Sequence, residues 1–581
     1  MQLLSGNEAI ARGAWEAGCH IGAAYPGTPS TETMEAFAKY PEVYAEWANN
    51  EKVALEVAMG ASTAGARVLV TMKHVGVNVC ADPLFTAAYT GVNGGVLILA
   101  ADDPGMFSSQ NEQDSRYYAM AAQVPMLEPS DSAEALAFAR AAFDLSERFD
   151  TPYFIRSNVR ISHTKTPVEL GERVEVPVKD YDTDPSKYVM MPAFAKPRRK
   201  VLAARVKELS RWVEECEFNR VEMKSKEIGI ICAGSQYQHV LEAAPEASIL
   251  KLGVTWPLPA QMLQEFASNV ERCYVVEEAS TYLSDQVKAA GVVLDEFDTP
   301  LPSVGEVHPC DISISLGKTQ PEHLPIQEDV PGRPPAFCCG CPHRIVFKEL
   351  SRMRAIVTGD IGCYTLGALP PLSAMDTTLD MGASVSMAHG FELALDRKSD
   401  LKRRRPVVAV IGDSTFAHSG LSSLLSTVYN KGAGTVCILD NRTTAMTGQQ
   451  GNPFNGVTLQ NRESNELNLP AILEALGVDK VHQVDSYDLK AVRSTLKEAT
   501  QANDRLDVII FQRPCVLLDK SKKPTFEINE NCTGCGVCST LGCPAISVDA
   551  ETGNAVIDQT QCIACNQCAQ YCRFDAIGPK E

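Results

Sequence analysis

The 581-residue chain carries 53 Lys and Arg against 72 Asp and Glu, a formal net charge of −19, with 45% hydrophobic and 22% charged residues. That balance argues against nucleic acid or an anionic membrane surface as partner, and the composition is that of ordinary globular protein in roughly four domains. The N-terminus has no basic segment leading into an apolar run, and no stretch approaches the ~20 apolar residues of a membrane-spanning helix. A cytoplasmic, reducing setting is therefore expected, in which the 20 cysteines read as ligands or buried thiols.

Residues 1–165 alternate apolar, strand-like runs with Ala-rich helical ones. HIGAAY (20–25), RVLVTM (67–72), GVLILAADD (95–103) and PYFIRSN (152–158) predict buried parallel strands; 51–64 and 132–149 carry helical spacing. Such layering places ligand loops at strand C-terminal ends. Tyr25-Pro26-Gly27-Thr28-Pro29-Ser30 follows the first strand and could offer backbone N–H groups to an anion, although alone it is more simply a capped turn. Residues 166–226 read as a helical, basic linker. Residues 227–300 return to α/β with EIGIICAGS, ASILKLGV and RCYVVEEAS as strands and no catalytic cluster. The Pro-rich 301–335 reads as a second linker.

Residues 336–520 form another α/β unit. One predicted strand ends in Gly412-Asp413-Ser414 and the next in Asp440-Asn441, one crossover helix later. Adjacent parallel strands would put Asp413 and Asn441 at one sheet edge. A carboxylate, an amide oxygen and a nearby backbone carbonyl suit Mg²⁺, which takes hard oxygen donors and shares them with phosphate. Each dipeptide alone is an ordinary strand end; their joint spacing is the signal.

The tail, 521–581, holds Cys532-x2-Cys535-x2-Cys538-x4-Cys543-Pro544 and then Cys562-x2-Cys565-x2-Cys568-x3-Cys572. Two such runs predict two [4Fe–4S] clusters, the fourth cysteine of each run crossing to the other cluster. Cys532, Cys535, Cys538 and Cys572 would hold one, and Cys543, Cys562, Cys565 and Cys568 the other. Zinc favours paired knuckles, often with histidine, and the tail has none. Disulfides need an oxidising compartment. Two departures from the common pattern stand out: the x4 before Cys543, and Arg573 where a proline often follows the last ligand. A doubly clustered tail also suggests an oxygen-poor cell.

Taken together, these motifs resemble the large subunit of indolepyruvate:ferredoxin oxidoreductase, within the 2-oxoacid:ferredoxin oxidoreductase superfamily. The resemblance spans the chain: SGNEAI, AYPGTPSTE, NEKVALEVAMGAS, TMKHVGVNV, GDIGCYTLG, GDSTFAHSG, LDNRTTAMTG and the cysteine tail. Against the general thiamine motif, Ser414 replaces a glycine and Asp440 an asparagine. The fold class it implies is α/β, with two thiamine-diphosphate-binding-type parallel-sheet domains. These are a pyrimidine-binding domain at 1–165 and a diphosphate and Mg²⁺-binding domain at 336–520. A transketolase-C-terminal-like α/β domain at 227–300 and a small 2[4Fe–4S] ferredoxin-like α+β domain at 521–581 complete it.

The resemblance also implies roles. Gly412, Asp413, Ser414, Asn441 and Thr443 match the cofactor-binding segment, with Asp413, Asn441 and the Thr443 carbonyl around Mg²⁺. Glu51, nine residues ahead of the Gly60-Ala61-Ser62 segment, matches the acid at the aminopyrimidine N1′, with Glu56 as rival. Thr28 matches a residue on the thiazolium and substrate side. His74 is a candidate for substrate carboxylate or proton handling, though a lone histidine is more often a satisfied polar residue. Cys338, Cys341, Cys363 and Cys515 match a third [4Fe–4S] site near thiamine, the alternative being four ordinary buried thiols. Cys339 lies outside that pattern.

The implied reaction is thiamine-dependent oxidative decarboxylation of an aryl 2-oxoacid with coenzyme A, electrons leaving through the clusters to external ferredoxin. A gamma-type domain of relatives has no counterpart in the sequence. That implies a small second subunit and a heterotetramer of two large and two small chains. A non-oxidative thiamine decarboxylase, or an electron-transfer adaptor with a dead thiamine site, are the competing classes.

Overall fold

A computed structural model describes residues 1–318, 332, 334–397, 405–502, 504–519 and 524–580. Of the expected 301–335 linker, 319–331 and 333 lie outside the described residues. The chain divides into two compact units, Met1–Ile326 and Gln327–Glu581.

The first unit is built on a seven-stranded sheet. Its order is Val254–Trp256, Met126–Leu127, Tyr153–Asn158, Val96–Asp102, Val68–Lys73, Ile21–Ala24 and Tyr44–Trp47. All neighbours are parallel except the Val254–Trp256 edge. The four strands predicted from continuous apolar runs form its centre, where Val96 to Ala101 have no exposed surface. A parallel sheet covered on both faces requires such unbroken runs. Helix Glu51–Thr63 starts where the Asn50 side chain accepts from Val53 N–H, and Ser132–Phe149 where Asp131 accepts from Glu134 N–H. Each cap satisfies a donor that the helix leaves unpaired.

A second sheet runs Arg272–Val276, Ile228–Ala233, Ser248–Leu252 and Arg220–Glu222. Several short pairings cross the boundaries expected from sequence. Lys165–Val168 pairs with Gln2–Ser5, and Arg220–Glu222 joins the second sheet from within the expected linker. Val254–Trp256 leaves its own domain to extend the first sheet. Strands of three or four mixed-polarity residues carry no periodic signal, so only tertiary pairing reveals them. The basic stretch folds as helix Pro192–Trp212 and is clamped in place. Arg198 and Arg205 donate to the Tyr89 and Ala88 carbonyls, at the end of helix Ala81–Thr90, and both pair with Asp150. Helix Pro309–Ser315 packs Ile312 into the core around Val240, drawing the start of the Pro-rich run into the second domain.

The second unit holds a six-stranded, wholly parallel sheet. The order is Thr377–Thr378, Ile356–Gly359, Val407–Gly412, Gly434–Asp440, Leu506–Gln512 and Lys480–Asp485. The tail adds two antiparallel pairs, Phe526–Ile528 with Ile577–Pro579 and Ile546–Val548 with Ala555–Ile557. Its buried core is small: Phe526, Cys538, Ala555, Ile557 and Ile577, with further cysteines packed against it. So little apolar burial makes ligation part of what folds the tail. Among the described residues, no helix is long and apolar enough to cross a membrane.

Candidate cofactor and cluster sites

In the first unit, the sequence-predicted residues gather at the C-terminal end of the parallel sheet, where open α/β sheets take ligands. Thr28 is half-buried in the loop after Ile21–Ala24; Ser30 Oγ closes that loop on the Gly27 carbonyl at 2.8 Å, and Asn7 Nδ2 donates to the Pro29 carbonyl at 2.7 Å. Glu51, in the first turn of its helix, is 4% exposed. Glu56 is exposed on the same helix and paired with Lys52. Burial therefore separates the two acids, and only Glu51 occupies a desolvated position.

Gly76 explains how Glu51 is enclosed. A Cβ on Gly76 would lie 2.7 Å from Glu51 Oε1, so the turn after strand Val68–Lys73 closes on the carboxylate only because that residue is glycine. His74, on the same turn, is 1% exposed; Nε2 lies 3.2 Å from the Asn111 carbonyl and, among the described residues, Nδ1 has no hydrogen-bond partner. Burial, above all, lowers its pKa, which keeps the ring neutral near pH 7. Beside it Lys73 donates to the Ser108 carbonyl at 2.6 Å, and burial pulls its pKa down to about 8 despite Asp103.

Sequence reasoning missed a buried ionic network at the same sheet edge. Arg156 meets Asp102 at 2.7 Å and also Glu128, and Arg116 meets Asp114 at 2.7 Å. Asn158 Nδ2 donates to Glu278 Oε1 at 2.8 Å and Ser235 Oγ at 2.6 Å, tying the strand ends of both sheets together. Buried acids and arginines spread over some 180 residues have no local signature.

In the second unit, Gly412 pairs with Leu439, so Asp413 and Asn441 emerge at one edge, as the strand spacing predicts. Asp413 is 2% exposed and accepts from Ser414 N–H at 2.8 Å and Asn452 Nδ2 at 3.1 Å. Burial, and then the charge of Asp440, push its pKa up to about 7. Asp440 itself is turned to Arg442, whose Nε is 3.2 Å away. Arg442 only partly offsets the departure from asparagine at 440: it also pairs with Glu466, and burial still holds Asp440 above the usual Asp range, so both carboxylates at this edge are short of positive charge. The Asn441 amide oxygen lies at the same edge, accepting from Thr443 N–H at 3.2 Å. This donor set fits a hard divalent cation and its phosphate. Gly412 lies against Tyr364, and Ser414 Oγ is 2.8 Å from Thr444 Oγ1.

Asn452 and Asp360 were not singled out from sequence. Asp360, fully buried at the end of strand Ile356–Gly359, accepts from the N–H groups of Gly382 and Ser384 and so fixes the start of helix Ala383–Leu395. The only local hint for Asp360 is its place in the GDIGCYTLG segment.

The tail thiols fall into the two sets that the spacing predicts. One cavity is lined by Cys532, Cys535, Cys538 and Cys572, the other by Cys543, Cys562, Cys565 and Cys568 together with Cys339. The x4 spacing is taken up by a 3-10 turn, Cys538–Leu541, and by Gly542 at positive φ. That turn anchors the tail. Buried Arg344 donates to the carbonyls of Leu541 at 2.9 Å and Gly542 at 2.6 Å, and to those of Phe337 and Cys338.

Cys338, Cys341, Cys363 and Cys515 also converge. Cys341 lies within electrostatic reach of Cys338 and Cys363, and Cys363 within reach of Cys515 and Cys338. Burial, and then the neighbouring thiols, push the Cys363 thiol up to about 11. Among the described residues, no three His, Cys, Asp or Glu side chains converge tightly enough for a single metal ion. A four-iron cube holds its thiolates farther apart, and the Mg²⁺ set draws on only one such side chain, so both sites are compatible with that spacing.

A family model for pyruvate flavodoxin/ferredoxin oxidoreductase thiamine-diphosphate-binding domains matches residues 12–226. Others match the C-terminal binding domain of thiamine pyrophosphate enzymes at 360–511 and a 4Fe–4S binding domain at 555–578. Indolepyruvate oxidoreductase subunit IorA of Pyrococcus abyssi is 39% identical over 99% of this chain and 96% of its own. The chain belongs to the IorA family. The IorA proteins of Thermococcus kodakarensis and Methanothermobacter thermautotrophicus are 38% and 39% identical, each over 99% of this chain and 97% of theirs. A 2-oxoglutarate:ferredoxin oxidoreductase structure from Magnetococcus marinus overlaps 54% of this chain and 64% of that one at 16% identity and a TM-score of 0.45, too slight a likeness to bear on the sites. As a member of the 2-oxoacid:ferredoxin oxidoreductase superfamily, the chain is an oxidoreductase that uses thiamine diphosphate and iron–sulfur clusters.

Proposed function

We propose that this chain is the catalytic large subunit of a cytoplasmic enzyme that converts aryl 2-oxoacids such as indolepyruvate, phenylpyruvate and hydroxyphenylpyruvate, with coenzyme A, to aryl-acetyl-CoA and CO₂. A small subunit completes it as a heterotetramer, and external ferredoxin takes the electrons. When bound, thiamine diphosphate supplies the nucleophilic carbon and the electron sink for decarboxylation. The protein's part is placement and proton control. Glu51 is the buried acid for the aminopyrimidine N1′. Asp413, Asn441 and the Thr443 carbonyl hold Mg²⁺ and through it the diphosphate. Thr28 and His74 face the substrate side, His74 as a neutral imidazole.

The observation that carries the oxidative reading is a single backbone hydrogen bond. Cys515 N–H donates to the Asn441 carbonyl at 2.9 Å, so a ligand of the third thiol set hangs directly on the metal-binding loop. A non-oxidative decarboxylase has no use for that link, and an adaptor with a dead site has no use for buried Glu51 and Asp413. Cys338, Cys341, Cys363 and Cys515 would hold a third [4Fe–4S] cluster and the tail cysteines two more, which together would supply one-electron transfer away from the cofactor.

The test is an anaerobic assay of the large subunit with its small partner, using indolepyruvate, coenzyme A and a viologen. Acyl-CoA formed in step with viologen reduction is expected. Aldehyde without acyl-CoA would overturn the oxidative reading, and acyl-CoA from pyruvate or 2-oxoglutarate alone would overturn the aryl one.

A further inference from the structure

Cys339 belongs to neither ligand pattern, yet it lines the cavity formed by Cys543, Cys562, Cys565 and Cys568. Its sulfur faces the Cys543 thiol closely enough for the two to interact electrostatically, and donates to Gln561 Oε1 at 3.8 Å. The flanking residues turn the other way: Cys338 and Cys341 lie with Cys363 in the third thiol set. One short segment therefore supplies sulfur to two different sites.

The segment is pressed against the second tail cavity by specific contacts. A Cβ on Gly340, at φ 70°, would lie 2.2 Å from Ile563 Cδ1 and 3.3 Å from Cys565 Cβ, so only glycine allows the approach. Gln567 Nε2 donates to the Cys341 carbonyl at 3.0 Å, and Tyr487 Oη to that of Gly340. Arg344 holds the Cys338 carbonyl from the other side. Cys339 is thus a fifth thiol in a four-thiol cavity, brought there by fixed backbone rather than by a flexible tip.

We propose that Cys339 is a reserve ligand of the second tail cluster, able to take over the iron corner held by Cys543. The proposal rests on reading Cys543, Cys562, Cys565 and Cys568 as [4Fe–4S] ligands. The exchange balances without any redox change. An Fe–S bond forms to Cys339 as the Fe–S bond to Cys543 breaks, and the proton leaving the Cys339 thiol passes to the departing Cys543 sulfur. Such a reserve protects the cluster next to the third thiol set, the one whose loss would cut the tail off from the cofactor site.

Iron content per chain and the EPR spectrum after dithionite reduction test it in full-length protein purified without oxygen. Cys543→Ala alone should keep the wild-type iron content and second-cluster signal, whereas Cys339→Ala with Cys543→Ala should lose about four iron per chain. A single Cys543→Ala as depleted as the double variant would overturn the proposal. Cys535→Ala is the control: it should lose about four iron, because no fifth thiol lines the first tail cavity. Wild-type protein without cluster signals would instead sink the iron–sulfur reading and the proposal with it. Cys339→Ala keeps all four regular ligands, so it gives a second measurement should Cys543→Ala not fold. Under controlled air exposure its second-cluster signal should decay several-fold faster than wild type, and equal decay would overturn the proposal.

Discussion

Two thiol regions in the second unit are brought together in opposite ways. In the tail, all eight cysteines lie between Cys532 and Cys572, and short turns bring them to their cavities. The third set draws Cys338 and Cys341 from before helix His343–Met353, Cys363 from after strand Ile356–Gly359, and Cys515 from after strand Leu506–Gln512. The first arrangement has a small core and depends on its metal for order. The second rests on a sheet with a large apolar core of its own. Local ligand sets announce themselves by spacing, whereas dispersed ones exist only once a sheet has assembled.

The sharpest way to break the comparison is Asp413→Ala, which should weaken metal and thiamine diphosphate binding by more than about 100-fold while iron stays unchanged, as read by calorimetry and iron assay. Retained cofactor would remove Asp413 from the site. Next comes Glu51→Gln, expected to cut turnover by about 10²–10⁴-fold with iron content and cofactor binding intact. Unaffected activity would pass the role to Glu56.

Cys515→Ala addresses the dispersed set. Iron should fall from about twelve to about eight per chain with the sheet still folded by circular dichroism, whereas Cys535→Ala, which has no spare thiol, should lose its cluster and loosen the tail around it. A wild-type content near eight would mean that the third set holds no cluster. Arg344→Ala should cost about 3 kcal/mol in the stability of the second unit, because it strands four backbone carbonyls that the guanidinium now satisfies. The smallest effect is expected for Glu56→Gln, within about 0.5 kcal/mol by denaturant melt, since the Lys52–Glu56 pair is solvated.

Much of this was legible in advance. The central strands of both parallel sheets read as unbroken apolar runs because both of their faces are covered, and the tail ligands read as spacing. The edge that unites Asp413 with Asn441 followed from one strand–helix–strand interval. Other features were invisible for stated reasons. The Val254–Trp256 strand leaves its domain because three residues cannot signal which sheet they will join. Gly76 gives no sign in sequence that its missing side chain makes room for Glu51. Nothing in the sequence says that Asp440, in place of an asparagine, will sit beside Asp413 with Arg442 shared between it and Glu466.

The sequence by itself determined which residue types were available and the local periods that build strands, helices and cluster loops. Those depend on interactions over a few residues. Only the tertiary structure decided which of two helix acids is desolvated, that Cys515 hangs on the Asn441 carbonyl, and that Cys339 faces a different thiol set from its neighbours. Burial, and contact between segments distant in the chain, are properties of packing, and no local period encodes them.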